Sequence, residues 1–167
     1  MTVEMIVFAA AAIVALASAV MVITVRNPVG SVLYLILSLL AQSVLYVQLS
    51  GLFIAAFLVL VYGGAILVLF LFVIMLLNIK YADLGPDSYP GIKPMAWVFG
   101  AVLLAEMVWV SMGVSTGIPA TNGDFGSVPE VARLLYGKFV FPFELTSVLL
   151  LAAIVGAVIM AKKELSR

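Results

Sequence analysis

Cysteine and histidine are both missing from the 167 residues. Without cysteine there is no disulfide, no thiolate metal site and no thiol nucleophile. Without histidine the chain lacks the commonest general base and the usual haem and zinc ligand. Charge is scarce as well. Charged residues make up 10% of the chain, against about 25% in soluble domains. Eight basic residues balance eight acidic ones, so net charge gives no footing for nucleic acid. Phosphate loops, dinucleotide fingerprints, metal-ligand spacings and a nucleophile beside a base are all absent. These gaps argue against a self-contained redox centre or hydrolase.

What is present is apolar. Hydrophobic residues reach 66% and mean hydropathy is +1.33. The chain reads as an all-α integral membrane protein, one membrane domain over residues 1–167. Five transmembrane helices are expected at about 3–25, 29–47, 52–77, 95–114 and 143–161. A cleaved signal peptide is the competing reading of the first run, because Ala17-Ser18-Ala19 resembles a cleavage site. Glu4 in place of a basic residue and the length of the run disfavour it. Ala11, Ala15 and Ala19 recur at every fourth position and offer a flat face for helix packing.

Arg26-Asn27-Pro28 marks a turn, with Pro28 suited to a helix's first turn. Ser31, Ser38 and Gln42 share one face of the second span. Bonds to backbone or to a neighbouring helix explain them better than a proton or ion path. The short break at 48–51 makes the second and third spans antiparallel neighbours.

Between Leu52 and Leu77 no residue is charged. At 1.5 Å per residue this run measures about 39 Å, against a bilayer core of about 30 Å. Near its middle sits Tyr62-Gly63-Gly64, although each Gly costs a helix about 1 kcal/mol relative to Ala. Read from the residues alone, the two glycines favour close approach of another helix.

After the polar loop YADLGPDSYPGIKP, the fourth span places Glu106 near its middle. A carboxylate at that depth faces protein or water rather than lipid. It is either a proton-path group or a protonated or lysine-paired structural residue. Ser127-Val128-Pro129-Glu130 fits a capping box, so a surface helix is expected over 128–136, closed by Gly137. Glu144 opens the last span near one interface. Ala153, Gly156, Ala157 and Ala161 form a second small-residue face. Arg26, Lys80, Lys93, Lys162, Lys163 and Arg167 fall on one side, Arg133 and Lys138 on the other. That asymmetry places the N-terminus outside and the C-terminus in the cytoplasm.

Three stretches carry a family resemblance. The run LVYGGAILVLFLFVIMLLN, from Leu60 to Asn78, resembles the third transmembrane helix of subunit J (chain 6) of bacterial NADH–quinone oxidoreductase, respiratory complex I. Arg26-Asn27-Pro28-Val29 and the run from Val32 to Ser38 are similar to the family's second span. Leu135-Tyr136-Gly137-Lys138 and Phe143-Glu144 through Leu151 resemble the approach to its fifth. The resemblance covers nearly the whole chain apart from the loops and the fourth span.

That resemblance implies a non-catalytic subunit of the membrane arm of a proton-pumping enzyme of the bacterial cytoplasmic (inner) membrane. No cofactor is held by this chain. NADH, FMN, iron–sulfur clusters and quinone belong to other subunits of the complex. The implied partners are subunits K, H, A and N and the lipid bilayer, with no nucleic acid. A π-bulge near Tyr62 is implied too, which makes Tyr62, Gly63 and Gly64 a coupling hinge rather than a packing notch. Glu144 matches the family glutamate of the fifth helix, and Glu106 is a second candidate proton-path carboxylate, not assigned to a family position. Where relatives often carry Gln or Glu four residues before the tyrosine, this chain has Leu58. The alternatives are a subunit of a multisubunit cation/proton antiporter or hydrogenase-like complex, or a pure scaffold.

Overall fold

Long apolar runs without backbone partners in lipid must bond internally, which leaves helices as the available structure. The computed structural model describes residues 2–77, 93–113 and 126–162, and all regular structure there is helical. The helices are α1 (Val3–Thr24), α2 (Pro28–Gln48), α3 (Leu52–Phe57), a π-helical segment (Leu58–Leu67), α4 (Val68–Leu77), α5 (Lys93–Gly113), α6 (Val128–Tyr136) and α7 (Val140–Ala161). α3, the π segment and α4 run on as one span, so five helices are long and apolar enough to cross a membrane. Asn78, Lys80, the 81–92 part of the polar loop, Val114, the 115–125 connection, Lys163 and Arg167 lie outside the described residues.

The α1–α2 turn is fixed locally. The Asn27 side chain accepts a bond from the Val29 N–H at 3.0 Å, and Pro28 occupies the first turn of α2, where a missing donor costs nothing. Three cross-helix bonds then hold α1 and α2 antiparallel. Gln48 Nε2 donates to the Glu4 carbonyl at 3.0 Å, Ser38 Oγ to the Ala15 carbonyl at 3.2 Å, and Ser31 Oγ to the Val22 carbonyl. Gln42 reaches Ser38 on its own helix at 3.3 Å. The serines therefore act as interhelical glue, the use expected of them.

The small-residue stripe of α1 needs one correction. Ala11 and Ser18 are buried, Ala15 is half-buried, and Ala19 is exposed. Covered positions follow 11, 15, 18, 22 and 25, alternating steps of four and three. A helix wrapped against a partner keeps a seam of about 3.5 residues per turn, so a strict every-fourth stripe drifts out of contact.

α2 ends in a Schellman motif. Gly51 N–H bonds the Tyr46 carbonyl at 2.8 Å and Ser50 N–H the Val47 carbonyl at 3.0 Å. Ser50, with φ of 62°, takes the left-handed position usually given to glycine. The glycine is kept for the next residue, where a Cβ would lie 3.3 Å from the Tyr46 oxygen.

Two further differences concern α6 and α7. Ser127 has the extended backbone of an N-cap, yet its hydroxyl makes no capping bond, so the expected capping box is not formed. Pro129 at the second helical position has no N–H, whereas the Glu130 N–H that a capping box uses is still present, so the proline does not account for the missing bond. α7 begins at Val140, three residues ahead of the expected start, because Pro142 is accommodated within its first turn.

Candidate functional site

The third span departs from α geometry for ten residues, Leu58–Leu67, with Tyr62-Gly63-Gly64 at the centre. A π turn carries a surplus residue and shifts each hydrogen bond from the fourth to the fifth carbonyl back. The covered face of the span passes through the π segment. Gly51, Ala55, Leu58, Gly63, Leu67, Leu71 and Ile74 are buried or half-buried, with Phe53 and Val61 beside them. Val61, half-buried like its neighbours, lies between Leu58 and Gly63, so covered positions crowd together inside the π segment.

The two glycines are not packing notches within this chain. A Cβ on Gly63 would meet only the Leu58 carbonyl, at 3.8 Å, and one on Gly64 only the Val59 carbonyl, at 3.5 Å. Each is the carbonyl five residues back on the same helix. No other described atom comes within 4 Å. Glycine here lowers the resistance of the backbone to rearrangement, while α2 packs along the covered side. Tyr62 is 51% exposed, which leaves about half of its surface for whatever lies beyond this chain.

Glu106 sits on α5 in a shallow groove with Val102, Trp109 and Val110. Glu144 lies in the second turn of α7, where its carbonyl accepts a bond from Ser147 Oγ at 2.7 Å. Both glutamates are exposed. The structure does not bring either carboxylate to the π segment. The described residues contain no cluster of His, Cys, Asp or Glu able to hold a metal ion.

The extent of the π segment was not legible from residue types, since Leu58 to Val61 look like any apolar helix. The proximity of Gly126 to Ser50, described below, was also missed. A lone glycine in a polar connection was its only signal.

Five helices long and apolar enough to cross a membrane, two of which bury no residue inside the chain, with no metal-holding cluster among the described residues, define a class. It is a polytopic all-α membrane protein. Residues 18–160 match the family model described as NADH-ubiquinone/plastoquinone oxidoreductase chain 6. The chain is 37% identical over 154 residues to NADH-quinone oxidoreductase subunit J of Escherichia coli (strain K12), covering 91% of this chain and 83% of that one. Against the Pseudomonas aeruginosa subunit J the identity is 39% over 160 residues, covering 92% and 94%. The F(420)H(2) dehydrogenase subunit J of Methanosarcina mazei is 32% identical over 168 residues, covering 98% and 94%. The chain belongs to the chain 6 (subunit J) family of NADH–quinone oxidoreductase membrane subunits. Its partners are therefore other subunits of that complex.

Proposed function

We propose that this chain couples quinone reduction to proton translocation, with Tyr62, Gly63 and Gly64 as the hinge. The observation that carries the reading is the π geometry centred on those residues. Absorbing the surplus residue would turn one half of the span against the other by about 100°, the angle per residue of an α-helix. Such a turn swings the half-exposed Tyr62 between two neighbourhoods and frees or recaptures backbone carbonyls. Leu58 offers no proton-carrying group, so backbone and tyrosine do the gating.

In this reading Glu144 and Glu106 are proton-path carboxylates that face neighbouring subunits, and K, H, A and N are those neighbours. NADH, FMN, iron–sulfur clusters and quinone stay with other chains. The protein sits in the bacterial inner membrane with its N-terminus outside and its C-terminus in the cytoplasm.

The test is Gly63→Leu and Gly64→Leu in the assembled complex. NADH oxidation by an artificial acceptor is expected to persist, while quinone-linked activity and pumping fall together. Normal pumping in a fully assembled variant would sink the hinge.

A further inference from the structure

We infer that Gly126 is a positioning residue that seats the surface helix α6 on the corner between α2 and α3, at the head of the π-bearing span. Two independent features demand glycine there. Its φ is +74°, a region that side-chain-bearing residues rarely adopt. A Cβ built on it would also overlap the carbonyl oxygen of Ser50, and would lie 3.1 Å from the Ser50 carbonyl carbon and 3.2 Å from the Gly51 Cα. The contact is backbone on backbone, so no side-chain rotamer can relieve it.

The corner is itself specialised. Ser50 holds a left-handed φ of 62°, and Gly51 is buried. Residues 50 and 126 are separated by two membrane crossings, the third and fourth spans, so a five-span topology puts both at the same face of the membrane. The connections on either side are short. Ser127, the N-cap of α6, follows Gly126 directly, and α6 packs on the start of α7, with the rings of Tyr136 and Phe143 edge to face at 5.2 Å. On the other side, α3 supplies only six residues before the π segment, about 9 Å of helix. A movement of α6 is thereby passed to the end of the helix proposed to change form. The effect on pumping rests on the hinge reading, whereas the contact itself does not.

The chain has no cysteine, so a Ser50→Cys, Ser127→Cys pair gives a clean probe in the assembled complex. A short bismaleimide is expected to join the two thiols, read as an intrachain cross-linked peptide by mass spectrometry. Labelling of each thiol by a monofunctional maleimide without any cross-link would overturn the contact. Adding Gly126→Ala is expected to lower the cross-link yield about tenfold, from the cost of a side chain in the left-handed region alone. Gly126→Ala without the cysteines should lower quinone-linked pumping several-fold at an unchanged artificial-acceptor rate. An undiminished cross-link would overturn the positioning role; a lowered cross-link with undiminished pumping would overturn the link from the seat to the hinge. The cysteine pair placed in Gly63→Leu separates the two ideas. Normal pumping there with the cross-link still formed would remove the hinge and leave the seat in place.

Discussion

Ser38 is 3% exposed where α1 and α2 cross, and its hydroxyl reaches the Ala15 carbonyl. That carbonyl also receives a bond from Ser18 at 3.2 Å. A cross-helix bond of this kind in a membrane contributes about 0.6 kcal/mol on average. Ser38→Ala should therefore destabilise the α1–α2 pair by about that much. Ser38→Leu should cost about 1–3 kcal/mol, because a larger side chain has no space between the backbones. Denaturation midpoints of the complex in mild detergent, followed by loss of this subunit, measure both. Equal midpoints for the two variants would show that size at this crossing does not matter. At the proposed proton path, Glu144→Gln and Tyr62→Phe are each expected to lower pumping while assembly, checked on native gels, stays intact. Silence of both would favour a pure scaffold.

The third span makes the case for a whole element. The π geometry over Leu58–Leu67 marks a surplus residue relative to an α-helix. Deleting Gly64 removes a surplus residue without touching the seam residues Leu67, Leu71 and Ile74. The shortened span should close into continuous α-helix and keep that seam against α2. The expected outcome is normal assembly with pumping strongly reduced. Loss of assembly instead would mean that the π segment is needed for packing. Helix positions were legible in the sequence because hydrocarbon thickness, Pro28, Ser50-Gly51 and Gly137 set them. The π geometry was not, since α and π segments bury the same apolar residues and differ only in hydrogen-bond register. Tyr62-Gly63-Gly64 hinted at a weak centre, and family resemblance, not residue chemistry, turned that hint into an expectation. The capping box at Ser127 shows the converse: a sequence pattern can fit and still form no bond.

For the molecule as a whole, the decisive feature is how little the chain covers of itself. α1, α2 and the third span pack together, while α5 and α7 bury no residue inside the chain. Trp97 and Trp109 on α5 are each 81% exposed, and Glu106 lies beside Trp109 on that helix. A carboxylate at mid-span is costly against lipid, so α5 needs a protein or water-lined neighbour on at least that side. α7 presents Ala153, Gly156 and Ala157, and a Cβ on Gly156 would meet nothing within 4 Å. Small residues in a membrane helix let another backbone approach closely, and no described helix of this chain uses the face. Gly156→Leu should consequently leave the chain inserted and folded but weaken its hold on the other membrane subunits. Affinity purification in mild detergent, with each neighbouring subunit quantified, measures this. Full recovery of the complex with Gly156→Leu would mean that α7 faces lipid there. Loss of neighbours with an intact chain would locate the partner helix on that side of α7.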